Sequence, residues 1–325
     1  MADIEFGYFS ISGDFEQAVA AGVAAEKNGY AVFTTNDHFF SPFAAPSDPQ
    51  LECFTLLTTV AAKTSRIRIA PVVAAASFRT PPLLAKIAST LDIASGGRLT
   101  LGLGSGWLSG EYLAHGYAFP ETSVRVEQLG ETLEIIKAMW TQEAPSFRGK
   151  YFQIENAYNN PRPLQTPHPP LLLGGSAPRL LKLAARHADI LNIIPPTGNS
   201  KDFPNDPEAT RAFTTEVLIK RTNLLKRYAE ESGRDPDEIT LGSLSIICLS
   251  EKMDDLTVLE AARNLGFADL KTAIEAPTCL FGTPAQVREQ IEKRHDATGM
   301  SQFIVAASNP QSQALFENEV MPNFR

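Results

Sequence analysis

Leu91-Asp-Ile-Ala-Ser-Gly-Gly-Arg-Leu-Thr-Leu-Gly-Leu-Gly-Ser-Gly-Trp107 is the stretch on which the fold is read. Gly96-Gly97 closes a helix over residues 81–95, which opens on proline, a residue well placed at a helix start. Residues 99–103 then form a short apolar strand, and glycines turn the chain toward its next element. The same helix, stop and strand pattern runs outward in both directions. Strands are expected over 4–10, 30–35 and 67–76 on the N-terminal side. A helix capped by Asp14 and stopped by Asn28-Gly29 lies between the first two, and one over 51–63 precedes the third. On the C-terminal side the strands are 171–173, 189–194, 239–249 and 302–307, with helices over 124–140, 179–187, 208–231 and 284–298.

These strands are apolar throughout rather than alternating, as in a parallel sheet covered on both faces. Eight strands joined by helical crossovers point to an α/β chain folded as a (β/α)8 TIM barrel, one domain over 1–325, with a doubly wound sheet as the alternative. Residues 141–170 and 195–205 read as insertions after strands four and six.

The 325 residues are 43% hydrophobic and 20% charged, which excludes disordered and fibrous classes. With 29 Lys and Arg against 37 Asp and Glu, the net charge is -8, the wrong sign for a generic nucleic-acid or anionic-membrane binder. No run of about 18 apolar residues suits a membrane span, and the N-terminus lacks a signal-peptide pattern. Cys53, Cys248 and Cys279 are odd in number and far apart, which fits a reducing cytoplasm. The five histidines have no metal-site spacing, so no metal is expected.

A barrel carries its active site at the C-terminal ends of its strands. That rule selects Asn36-Asp37-His38, 71–77, Gly104–Trp107, Gly174-Gly175-Ser176 and 192–196. Gly102, Gly104 and Gly106 do not match the dinucleotide fingerprint in spacing or position, and read as a tight turn. Gly174-Gly175-Ser176 feeds a helix N-terminus and can cradle an anion; Ser176 can equally be the helix cap. His38 can act as acid or base near neutral pH, with Asp37 either orienting it or bonding a ligand. Trp107 can stack on a planar ligand or pack at the rim.

Together, 67–82 (Ile-Arg-Ile-Ala-Pro-Val-Val to Phe-Arg-Thr-Pro-Pro), 91–107 and 171–189 resemble the bacterial luciferase-like family of flavin- and deazaflavin-dependent oxidoreductases. Asp37-His38-Phe39, and Leu280-Phe-Gly-Thr-Pro with its following helix, are similar to the deazaflavin subgroup. The resemblance implies coenzyme F-420 (8-hydroxy-5-deazaflavin), with FMN as the alternative. It implies a cofactor site of Asp37, Val72, Val73, Ala74, Ser105, Gly106, Trp107, Gly174, Gly175 and Ser176, and the Val72-Val73 bond is where similar enzymes carry a cis peptide. It makes His38 and Asp37 catalytic and gives Phe39, Phe40, Trp107 and Glu111 to the substrate pocket, although Glu111 can instead be a structural helix residue. Family sugar-phosphate dehydrogenases carry a glutamate where Trp107 stands, which argues against that substrate.

The implied reaction is hydride transfer to or from a small molecule by a homodimer. A reduced-FMN monooxygenase served by a partner reductase, and a non-catalytic flavin-binding or structural subunit, are the alternatives.

Overall fold

The computed structural model describes residues 4–196, 206–252 and 255–324. The chain divides into two compact units, Ser10–Gly174 and Met1–Phe9 with Gly175–Arg325. The strands are β1 (Glu5–Ser10), β2 (Val32–Thr35), β3 (Arg68–Pro71), β4 (Ala74–Ala75), β5 (Leu101–Gly104), β6 (Phe147–Arg148), β7 (Gln153–Ile154), β8 (Leu171–Gly174), β9 (Ile190–Asn192), β10 (Thr240–Leu249), β11 (Cys279–Gly282) and β12 (Gln302–Ala307). The helices are α1 (Phe15–Asn28), α2 (Cys53–Lys63), α3 (Pro81–Ser95), α4 (Ser109–Ala114), α5 (Thr122–Thr141), α6 (Pro178–His187), α7 (Pro207–Ala212), α8 (Thr215–Glu231), α9 (Leu256–Asn264), α10 (Leu270–Glu275), α11 (Pro284–Thr298) and α12 (Pro310–Leu315).

In the Ser10–Gly174 unit, β2 pairs with β3, β4 with β5 and β5 with β8, all parallel. Ile69, Leu101, Leu103, Leu171 and Leu173 are completely buried on these strands. Burial on both faces is why they read as apolar runs. Gly102 is required here, because a Cβ would stand 2.0 Å from the Pro71 carbonyl oxygen. On the helical layer, α5 packs on α3, and the buried Trp140 donates its indole N–H to the Ala85 carbonyl at 3.2 Å. The other unit is centred on β10, which pairs in parallel with β9, β11 and β12. Arg294 is buried there with no carboxylate partner among the described residues; its guanidinium donates to the carbonyls of Pro277, Ala276 and Cys279 at 3.0, 2.9 and 2.6 Å. Burial pulls its pKa down to about 10.

Three expectations need correction. The strand expected over 67–76 is two strands, β3 and β4, separated by the Val72-Val73 peptide, which is cis. The helix expected over 208–231 breaks into α7 and α8, because Thr214 accepts the Val217 N–H and so caps a new helix. The strand β11 is missing from the expected set; a buried Cys-Leu-Phe-Gly run is too short for periodicity to separate strand from helix. The 141–170 excursion carries the antiparallel pair β6–β7. The loop expected over 195–205 falls outside the described residues from 197 onward.

Helix α1 is tied to the start of the β3 region by one carboxylate. Glu26 accepts the N–H groups of Ser65, Arg66 and Ile67 at 2.9, 2.6 and 2.9 Å. Burial raises its pKa, but the backbone donors outweigh burial and bring it down to about 2. A carboxylate depressed in the folded state stabilises above its unfolded pKa, and that stabilisation fades as pH falls through the folded value. Glu26→Gln should therefore lower the melting temperature at pH 7, and the gap from wild type should close between about pH 4.5 and about pH 2. Thermal melts across that range check the direction; a gap independent of pH would assign the effect to packing.

Candidate active site

The chain leaves β2 through Asn36, Asp37 and His38 without a helix, turn or bend until residue 39. Asp37 is 5% exposed, and Arg79 grips it with both terminal nitrogens at 2.7 and 3.0 Å. The Ala75 backbone N–H adds a third bond at 3.1 Å. Arg79 also reaches Glu52 at 2.7 Å and lies over the Phe54 ring, 4.6 Å from its centroid. Burial works against its charge, but the hydrogen bonds and charges of Asp37 and Glu52 more than offset this and hold its pKa above the ordinary arginine value.

His38 has a different partner. Its Nδ1 lies 2.8 Å from Glu111 Oε2, and Glu111 Oε1 accepts the Phe39 and Phe40 N–H groups at 2.5 and 3.4 Å. The residue that orients His38 is Glu111, contributed by the short α4, and not Asp37. Glu111 is 0% exposed with both oxygens engaged, so its expected place on a pocket wall is corrected to one behind His38. A carboxylate only accepts, so Nδ1 carries the proton and Nε2 is the nitrogen left for chemistry.

Trp107 meets the His38 ring edge-on, with centroids 5.5 Å apart. Phe39 is exposed and stacks on His115 at 4.2 Å, beside Phe78 and Tyr117. Phe40 is half-buried and tilts toward His115. Ser105 is half-buried, and Gly106 has φ 78°; a Cβ there would meet the Tyr112 hydroxyl at 1.9 Å. That hydroxyl bonds Ser77 at 2.6 Å, and burial pushes its pKa up to about 12. Val72 and Ala74 are buried, and Val73 is half-buried. A Cβ at Gly104 or Gly174 would come within 2.7 or 3.0 Å of the Val73 side chain. Those glycines answer first to the protein's own packing.

In the other unit, the Gly175 N–H donates to the Asn192 carbonyl at 2.9 Å. Ser176 is 1% exposed, and its hydroxyl has no partner among the described residues. Ser176 does not cap α6: the cap position is Ala177, and no side chain bonds the first turn. A buried hydroxyl unpartnered among the described residues, beside an uncapped ten-residue helix, suits the ribityl phosphate of a flavin or deazaflavin.

Arg79 was missed from the sequence, and Asn36 was selected by its strand end but given no role. A lone arginine between a strand and a helix looks like any solvated charge until its carboxylate partners, 42 and 27 residues away, are located.

Parallel strands with polar side chains gathered at their C-terminal ends define an α/β protein of the strand-end-site class. The chain belongs to the luciferase-like monooxygenase family, whose model matches residues 5–270. It is 30% identical over 165 residues to the FMNH(2)-dependent dimethylsulfone monooxygenase of Pseudomonas putida, covering 51% of this chain and 45% of that protein. The chain thus spans about half the length of that relative. It is 28% identical over 263 residues to the F-420-dependent glucose-6-phosphate dehydrogenase of Microbacterium testaceum, covering 80% of this chain and 72% of that one. Among solved structures it is similar to an F-420-dependent secondary alcohol dehydrogenase in complex with an F-420–acetone adduct, at TM-score 0.81 and 20% identity, over 99% of both chains. That likeness makes the fold class the α/β TIM barrel read from the sequence. No helix among the described residues is long and apolar enough to cross a membrane.

Breaking the Asp37–Arg79 pair from one side strands a buried charge. Arg79→Met should destabilise the chain by about 3 kcal/mol. Adding Asp37→Asn to it should recover part of that loss in chemical denaturation, whereas additive losses would mean the pair is not coupled.

Proposed function

We propose that this chain is an oxidoreductase that transfers a hydride between coenzyme F-420 and a small organic substrate. The observation that carries the proposal is the His38–Glu111 pair, with Nδ1 fixed at 2.8 Å and the ring edge against Trp107. A bound deazaflavin supplies the hydride chemistry at its ring carbon 5. The free hydroxyl of Ser176, with Gly174 and Gly175, would hold its phosphate. Asp37, Val72, Val73, Ala74, Ser105, Gly106 and Trp107 would bound its ring.

Within that frame, the chain's residues divide the remaining work. His38 Nε2 takes the proton from a substrate hydroxyl during oxidation, or returns it to the oxygen during reduction. Glu111 keeps the imidazole in one tautomer and one orientation. Trp107, Phe39 and Phe40 exclude water from the path of the hydride. Asp37, with its oxygens already bonded, positions the segment and moves no proton.

The 30% identity to an FMNH(2)-dependent enzyme supports a second reading, a monooxygenase using reduced FMN from a partner reductase and O2. The family reading also implies a homodimer, which sedimentation of the purified protein tests.

Fluorescence titration separates the cofactors. Tight F-420 binding with negligible FMN binding is expected, and preference for reduced FMN with oxygen uptake would replace the first reading with the second. His38→Ala should lower turnover by about 10²–10⁴ at saturating cofactor while leaving cofactor affinity intact. Glu111→Gln should lower turnover less and displace the pH profile. Secondary alcohols and ketones are the first substrates to screen, and unchanged turnover in His38→Ala would remove the proton role.

A further inference from the structure

Asn36 is 5% exposed, and half of its carboxamide is fully explained. Gln50 Nε2 donates to Asn36 Oδ1 at 3.0 Å and to the Leu51 carbonyl at 3.2 Å. The Leu51 carbonyl can only accept, so Gln50 must present its NH2 group there. The atom of Asn36 facing Gln50 must then be oxygen, which fixes the carboxamide without reference to any ligand. Its Nδ2, with two N–H groups, is buried and has no partner among the described residues. A buried donor left open is costly, and such groups in native proteins call for an explanation.

The position narrows that explanation. Asp37 is taken up by Arg79 and the Ala75 N–H, while Asn36 and His38 flank it in the chain at the end of β2, where a barrel presents its ligands. We propose that Asn36 is a ligand-binding residue that donates an N–H to an acceptor oxygen held beside His38. This assignment rests on the reading of the site given above. The chemistry it selects is a carbonyl, hydroxyl or oxyanion oxygen, on the substrate or on the cofactor ring. A cationic group would find no acceptor at Asn36 Nδ2. A site built to hydrogen-bond an oxygen also discriminates strongly against analogues lacking it.

The test uses the full-length chain and Asn36→Leu, which keeps the size and removes the donor. Without ligand, the variant should melt within about 2 °C of wild type, because removing the open buried donor offsets the lost bond from Gln50, whose Nε2 keeps the Leu51 carbonyl. A large fall in melting temperature would make Asn36 structural and overturn the proposal. With F-420 and FMN as titrants, an affinity loss of about tenfold places the acceptor on the cofactor ring. Unchanged cofactor affinity, with kcat/KM for 2-propanol or acetone reduced about tenfold and the pH profile kept, places it on the substrate. If neither affinity nor kcat/KM moves, Nδ2 meets solvent only and the proposal fails. If wild type binds neither cofactor, the functional reading fails separately. Thermal-shift responses to acetone and 2-propanol then decide for Asn36, a response lost in the variant supporting it and an equal or absent response overturning it. Asn36→Ser, a shorter donor, should retain part of the affinity, and serves if the leucine variant does not fold.

Discussion

The Asp37–Arg79 ion pair is the constraint on which the site depends. One guanidinium bonds Asp37, two residues past β2, reaches Glu52 at the head of α2, and lies on the Phe54 ring. Glu52 in turn caps α2 by accepting the Thr55 N–H at 2.7 Å. Asp37 closes the circuit onto β4 through the Ala75 N–H. Three elements distant in sequence are thereby registered against one planar group. A buried pair of this kind adds little net stability, since desolvation consumes much of its Coulomb attraction. Its effect is geometric: any other arrangement leaves a buried carboxylate unpaired. His38 follows Asp37 directly and inherits that placement, and Glu111 then needs only to set the ring.

What the sequence disclosed follows from where its information is local. Helix limits were legible because Asp14, Gly29, Pro81 and Gly96 act within one turn of their own positions. Strand identity was legible where burial on both faces made a continuous apolar run, as at 101–103 and 171–173. It failed at Cys279–Gly282, where the run is as short as a helical turn. The break between α7 and α8 also escaped notice, since Thr214 caps from inside a stretch that is otherwise good helix former. At the site, the motif residues His38, Asp37, Trp107 and Ser176 could be singled out because chemistry-bearing side chains at strand ends are conspicuous. Their partners could not be, because Glu111 lies 73 residues from His38 and Arg79 lies 42 from Asp37. Pairing across such separations is a property of the folded chain alone.

The glycines show how a functional signal and a packing signal coincide. A glycine-rich strand end invites a phosphate reading. Yet Gly102 is demanded by the Pro71 carbonyl, Gly104 and Gly174 by Val73, and Gly106 by the Tyr112 hydroxyl. Each is accounted for with no ligand present. The glycine pattern therefore carries less functional information than it seems to in the sequence.

The information lies instead in polar groups that the protein leaves unmatched. Asp37, Glu111 and Arg294 are buried and bonded, and they build the frame. Asn36, Ser176 and Asn192 are equally buried, stand at or just beyond the C-terminal ends of β2, β8 and β9, and each has an atom with no partner among the described residues, as do Arg125, Asn159 and Thr222 away from the strand ends. Folding alone gives no reason to keep three such groups at strand ends, because apolar residues of similar size would cost less. Retaining them makes physical sense if their partners arrive with a ligand. A barrel presents its ligands at strand ends, and within its own unit each of these three residues stands where that rule looks.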